Sequence, residues 1–412
     1  MIIKIKIYKK ISQIKSVTIS KILKKTKSLF LKKFFLSIIF VLYLYLIGNK
    51  NLQTTIENEN FSNNKNNFTQ TYFYELFNTT IESRRILIFE PYSYHHECTP
   101  GYTKYFIDLG FNVDILWLSI ATDSLCIFPN IGNVRMFVFD DLKQIKNNTK
   151  NLSSIIKKYD FVLLGTNEND GQILNGLDLL NINNSIFMFH DCRRIGKIYK
   201  NYINQNRIWT IGGFQNSLLV NPHYFGNIKL KDKNNKTRFF MTSTPKRKYN
   251  YLVENLEKIK KENYEFEIIA IGRVEDFNST QISNNLSKNI IFKYNINYSE
   301  LYQDIIDSDF IILPLDLKNK NDQGYLEYRI SGSIQLSFGF LKPLIINDKF
   351  SEFNHLNDKN SLLYNISNLY DIIKKAILLD NVEYKKLQRE LQITEKEIFN
   401  LSIQNIKKTL KL

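Results

Sequence analysis

Cysteine is scarce in this chain: three residues in 412, at Cys98, Cys126 and Cys192. An odd count at no metal-ligand spacing excludes a disulfide framework and leaves room for one disulfide at most. Histidine is almost as sparse, with five in the chain. No arginine-rich recognition helix, zinc spacing or RNP-like aromatic motif occurs. That argues against nucleic acid as a partner, despite a formal net charge of +16. The first fifty positions carry many lysines and no acidic residue, whereas the remainder has mixed charge. The surplus is therefore local to one segment. A short-period repeat is also missing.

A hydrophobic fraction of 43% with 14% aromatics is that of a folded protein, and the length suits two domains plus extras. The lysine-rich start, 1–33, flanks the apolar run "FFLSIIFVLYLYLIG" at 34–48. That run is short against the roughly 20 residues a spanning helix needs, but Lys32 and Lys33 can snorkel and extend it back to about Ser28. No small-x-small cleavage site follows Gly48, so a signal anchor is preferred to a cleaved signal peptide. The positive-inside rule then places Met1 in the cytosol, giving a single-pass type II membrane protein with its body in the ER or Golgi lumen. In a bacterium the body would instead sit in the cytosol, where nucleotide sugars are made. Residues 49–83 are rich in Asn, Thr and Ser without periodicity and read as a stem. Sequons at Asn60, Asn67, Asn78, Asn151, Asn278 and Asn365 are compatible with a glycoprotein in that lumen.

From Arg84 onward, apolar runs such as "RILIFE", "NVDILWL", "VRMFVF", "DFVLLGT" and "SIFMFHD" alternate with amphipathic stretches such as "GYTKYFIDLG" and "DGQILNGLDLL". Near-continuous runs of Ile, Val, Leu and Phe predict parallel strands covered on both faces, and the alternation predicts a doubly wound α/β sheet. Gly110 is placed to end the first helix. A break at Leu218–Thr237 contains Pro222, Gly226 and a polar run, after which the alternation restarts. The organisation is thus an α/β domain at 84–222, a second at 237–395 and a C-terminal helix at 396–412.

The second half carries five phrases in a telling order: "FFMTSTPKRKYNYLVENLEKI", "FEIIAIGRVEDF", "INYSELYQDIIDSDFIILPLD", "EYRISGSIQLSFGFLKPLIIND" and "NSLLYNISNLYDIIKKAILLDNVEYKKL". Together they resemble the nucleotide-sugar domain of a GT-B glycosyltransferase of the group 1/family 4 kind over Thr237–Leu387. "HHECTPGYTKYFIDLGFNVDILW" resembles the family's N-terminal phrase more weakly. The resemblance implies two Rossmann-like doubly wound domains facing a cleft, with a nucleotide-diphosphate sugar as co-substrate, a glycan or glycoconjugate acceptor and no bound metal. One departure stands out. Many retaining members carry E-x7-E on the helix before "GKPVI"; here its second position falls at Leu336, beside Gln335, and Glu327 lies near the first. The missing glutamate leaves open a nucleotide-sugar epimerase on the same scaffold, or a non-catalytic sugar- or protein-binding descendant.

A diphosphate needs cations and backbone N–H groups at helix starts. Arg247 and Lys248 in "TPKRK", Arg273 after the next strand, and Glu327, Arg329 and Ser331 before a helix are the donor-binding candidates. Lys246 and Lys248 also fit an ordinary solvated surface. Loops at the carboxyl ends of the first domain's strands supply the acceptor side. His95, His96 and Glu97 are the candidate bases for an acceptor hydroxyl, with one imidazole facing the cleft and the other free to pack against nearby tyrosines. Glu168, Asp170, His190 and Asp191 are further acceptor-side candidates, with Asn167 beside them; His190 and Asp191 equally suit strand-end residues satisfied locally. "DSD" at 307–309 reads as a helix end, not a metal motif, and "FDD" at 139–141 as a strand end with a helix cap. The polar "LDLKNKNDQGYLE" reads as a loop over the donor, or as a long surface loop.

Overall fold

Apolar runs with no polar face must be covered on both sides, and they pair here into two wholly parallel sheets. The computed structural model describes residues 70–92, 95–119, 134–167, 177, 182–196, 199–214, 216–242, 250–272, 282–365 and 367–412. All of them lie in one compact unit, Asn66–Leu412. The expected anchor at 34–48 and its basic tail lie outside the described residues. Among the described residues no helix is long and apolar enough to cross a membrane.

The first sheet contains β1 (Gln70–Tyr72), β2 (Arg85–Glu90), β3 (Asn112–Leu118), β4 (Val134–Phe139), β5 (Phe161–Leu164), β6 (Ser185–Phe189), β7 (Ile208–Thr210) and β8 (Leu218–Leu219). Their order is β1-β4-β3-β2-β5-β6-β7-β8. The second contains β9 (Thr237–Thr242), β10 (Phe266–Gly272), β11 (Ile290–Tyr294), β12 (Phe310–Leu313), β13 (Leu344–Asn347) and β14 (Leu362–Tyr364), ordered β11-β10-β9-β12-β13-β14. Both are doubly wound, and the direction of winding reverses between β2 and β5 in one and between β9 and β12 in the other. Ligand crevices form at the carboxyl ends of the strands at such reversals.

Side chains alternate between the faces. Ile86 and Ile88 join one core with Trp117 and Trp209, while Leu87 and Phe89 join the other with Phe137 and Ile155. Helix α1 (Thr99–Asp108) covers the first face. Gly110, at φ +80°, closes α1 with Gly110 N–H to Ile107 O and Phe111 N–H to Phe106 O, the hydrogen-bond pair of a left-handed helix stop.

The stem expected over 49–83 needs a correction at its end. β1 adds to the sheet edge beside β4, and Phe73 and Leu76 in the turn after it are buried. Phe73, Leu76 and Phe77 of "YFYELF" join the core despite their polar surroundings, while Tyr72 and Tyr74 stay exposed.

In the second domain, α2 (Asn250–Lys261) and α5 (Leu369–Leu378) cover one face, and α3 (Tyr298–Asp307), α4 (Gly332–Phe340) and α6 (Asn381–Leu410) contribute to the other core. These labels omit shorter helices, one of which, Lys320–Glu327, corrects the reading of "LDLKNKNDQGYLE" as a loop. Asn319 caps it by accepting from Asn321 N–H, and buried Asp322 accepts from Asp316 N–H. Gly324 serves close packing there: a Cβ would lie 2.5 Å from the Tyr328 hydroxyl.

α6 runs unbroken from Asn381 to Leu410, across the boundary drawn between 395 and 396. Leu391 and Ile398 pack in the second domain's core, Ile406 and Leu410 in the first. Trp209 Nε1 donates to Thr409 Oγ1 at 2.8 Å, and Asn221 N–H to Ser402 Oγ at 3.0 Å.

Candidate active site

At the carboxyl ends of β2, β5 and β6 the structure gathers an imidazole–carboxylate group. His95, in the loop after β2, is left-handed at φ +66°, a conformation that costs a side-chain-bearing residue about 1 kcal/mol. Its ring stacks on His190, the residue after β6, with centroids 3.9 Å apart and planes 10° apart. His190 Nε2 is 3.3 Å from the carbonyl of Gly165, the residue after β5. His95 Nδ1 faces Glu97 Oε1 at 3.6 Å. Three loops from three neighbouring strands thus converge on one spot.

The electrostatics separate these groups. Burial pushes the Glu97 carboxyl up, but the hydrogen bond and charge of His95, its own backbone N–H and His190 outweigh it and hold it at about 2. Burial, with His95 alongside, pushes His190 well below the ordinary histidine value. Near neutral pH this is an ionised carboxylate beside a neutral, buried imidazole. His95, with 32% of its side chain exposed, is the more accessible imidazole.

His96 turns the other way. It is buried, with Nε2 2.6 Å from Tyr92 O and its ring edge-on to Trp117. Asn167 is buried and donates to the Tyr199 hydroxyl at 3.0 Å, while Glu168 and Asp170 lie outside the described residues. Asp191 accepts from Arg193, and its carboxyl, pushed up by burial, is brought below the usual range by that hydrogen bond and ion pair.

Asp191 also forms a backbone bridge with Arg329 of the second domain. Cys192 N–H donates to Tyr328 O at 2.9 Å, and the Arg193 guanidinium lies 4.0 Å over the Tyr328 ring. The segment carrying donor candidates Glu327, Arg329 and Ser331 is therefore strapped to the residue after His190. Glu327 is exposed at its helix end, and Arg329 stacks 4.4 Å over Tyr325 while donating to Asn321 O. Ser331 is buried at the N-cap of α4. Gly332 opens that helix, and a Cβ there would meet nothing within 4 Å, so the positive helix end looks onto open space. Ser333 shares a 2.9 Å hydrogen bond with Thr242 at the end of β9. Lys246, Arg247, Lys248 and Arg273 lie outside the described residues.

Where the family's second glutamate would fall, Leu336 is buried in the second core. Gln335 reaches the first domain instead, with Nε2 3.8 Å from Cys98 Sγ and 3.5 Å from Pro222 O. Cys98 and Cys192 are free and buried.

Of the two other short motifs, "DSD" ends α3 and leads to β12. Asp309 is buried and accepts from Asn234 N–H and Arg238 N–H. Asp141 of "FDD" caps the helix after β4. Among the described residues no group of three or more His, Cys, Asp or Glu could hold a metal ion.

Sequence reasoning missed two residues of the group. Glu90 ends β2 fully buried and accepts from Thr166 Oγ1 at 2.8 Å; a Cβ on Gly165 would lie 2.7 Å from its Oε2. A carboxylate closing an apolar strand was the available signal. Tyr298 begins α3 and donates to Glu97 Oε2 at 3.2 Å, a contact between positions 201 apart that no local pattern reports.

No family model and no curated protein matches the sequence. Solved structures do match. A glycosyltransferase from Rickettsia africae ESF-5 aligns with a TM-score of 0.50 at 14% identity, over 80% of this chain and 98% of that one. A mutant of S. aureus TarM, solved with fondaparinux, alpha-GlcNAc-glycerol and UDP, aligns at 0.55 and 10% identity, over 78% and 99%. Anabaena HepE, in complex with UDP and glucose, aligns at 0.50 and 13% identity, over 80% and 99%. The paired doubly wound sheets and these alignments agree: the chain has the GT-B glycosyltransferase fold.

Proposed function

We propose that the protein transfers a sugar from a nucleotide-diphosphate donor to a hydroxyl of a glycan or glycoconjugate. The observation that carries this reading is the convergence of His95, Glu97 and His190 at one domain's strand ends, strapped to the segment that opens α4 in the other. The donor's diphosphate would lie against the N-terminus of α4, with Arg247, Lys248, Arg273 and Arg329 supplying positive charge and Glu327 and Ser331 hydrogen bonds. Those cations support a reaction without a bound metal. The acceptor hydroxyl gives its proton to His95. Glu97, ionised and facing Nδ1, stabilises the imidazolium that forms, and neutral His190 supports the ring from its face.

The lysine-rich start and the apolar run at 34–48 support a membrane-anchored protein of type II orientation. The test of the activity is incubation of the full chain with each common nucleotide sugar, with and without a mixed glycan pool, followed by mass spectrometry. Transfer predicts a glycan heavier by one sugar residue only when both are present. Conversion of the donor to an isomer without acceptor would identify an epimerase instead.

A further inference from the structure

We infer that Tyr298 is a positioning residue that the nucleotide-side domain lends to the acceptor-side base. Its hydroxyl holds one Glu97 oxygen and so turns the other towards His95. This inference rests on the transfer reading above. Glu97 stands in the short turn His96–Cys98, with a quarter of its side chain exposed. Oε2 takes the Tyr298 hydroxyl at 3.2 Å, and Oε1 faces His95 Nδ1 at 3.6 Å. A carboxylate with one oxygen fixed has lost rotation about its last bond, which is what aiming the other oxygen requires.

The phenol is itself fixed from the second domain. Asn297 caps α3 by accepting from Glu300 N–H at 2.8 Å. The Tyr298 ring packs 5.7 Å from that of Tyr302, which is buried against Phe225 and Phe340. A second contact steadies the same turn from the same side: Gln335 on α4 reaches Cys98 Sγ. Among the described residues, the groups that act on Glu97 include His95 and His190 from the first domain and Tyr298 from the second, with Cys98 beside it in the chain and the charge of Glu90 acting on Cys98. The base is therefore complete only when the two domains are together, and acceptor activation is tied to the domain that carries the donor.

The test compares full-length wild type, Tyr298→Phe, Glu97→Ala and the double variant. Tyr298→Phe keeps the ring and removes only the hydroxyl. With the donor and acceptor found by mass spectrometry, it should lower kcat about tenfold and leave donor KM within about twofold. Because the hydroxyl acts through Glu97, the double variant should be no slower than Glu97→Ala alone. A loss in KM alone, or additive losses in the double variant, overturns the inference. Thermal unfolding of the same four proteins gives a readout independent of turnover. Each single change should lower Tm, and the double no further than the larger single; additive shifts overturn the contact itself. A wild type that transfers nothing yet shows the coupled Tm shifts would refute the transfer reading and leave the Tyr298–Glu97 contact standing.

Discussion

His190 shows what one residue's surroundings do to its chemistry. Its folded value lies below the ordinary histidine value of 6.5 because burial disfavours the imidazolium. Above that value the side chain is neutral folded or unfolded, and folding carries no protonation cost. As the pH falls through 6.5, the unfolded chain takes up a proton that folded His190 refuses, and stability drops by up to about 1.4 kcal/mol per pH unit. Urea unfolding at pH 7.5 and 5.5 should show this loss, and His190→Gln should reduce it, leaving the part that burial of His355 contributes. Glu97 acts in a lower window. Its value falls from 4.5 to about 2, so its stabilisation is intact above 4.5 and disappears as pH drops towards 2. At this scale the sequence placed His95 and His190 correctly after strands. It could not show which of two adjacent histidines turns towards His190, because that depends on the left-handed backbone of His95 and on Trp117, which takes His96.

Elements were more legible where burial dictates composition. The stretches "ILIF" within β2 and "FIIL" of β12 are apolar at every position because both sheet faces are covered. Lys320–Glu327 escaped because its helix is held by polar groups, an asparagine cap and a buried aspartate, with no apolar stripe to read. β1 escaped because three residues at a sheet edge need no pattern of their own. α6 has the largest mechanical consequence, since its ends belong to different cores. Ile406 is fully buried against the first domain, so Ile406→Ala should cost about 2–5 kcal/mol in urea unfolding. Exposed Lys408 on the same turn is the control, and Lys408→Ala should stay within about 0.5 kcal/mol of wild type. Equal losses would mean that α6 does not bolt the domains together.

For the whole molecule, the alternation of strand and helix with one polar break was enough to call for two doubly wound domains. Strand order within each sheet is a long-range property, but parallel right-handed crossovers leave few alternatives, and the six strands β4-β3-β2-β5-β6-β7 repeat the order of the second sheet, with β1 and β8 added at the edges. The polar contacts between the domains were not legible, since Asp191 with Arg329, Tyr298 with Glu97 and Gln335 with Cys98 link positions far apart. The activity proposed for the site is transfer from a nucleotide sugar. The most direct measurement is release of nucleoside diphosphate by the full chain across a panel of nucleotide sugars, with and without glycan acceptor. Release is expected from one or a few donors, rising with acceptor and falling at least tenfold in a His95→Ala, Glu97→Ala variant. Release from none of them, with no saturable binding of any nucleoside diphosphate, would contradict it.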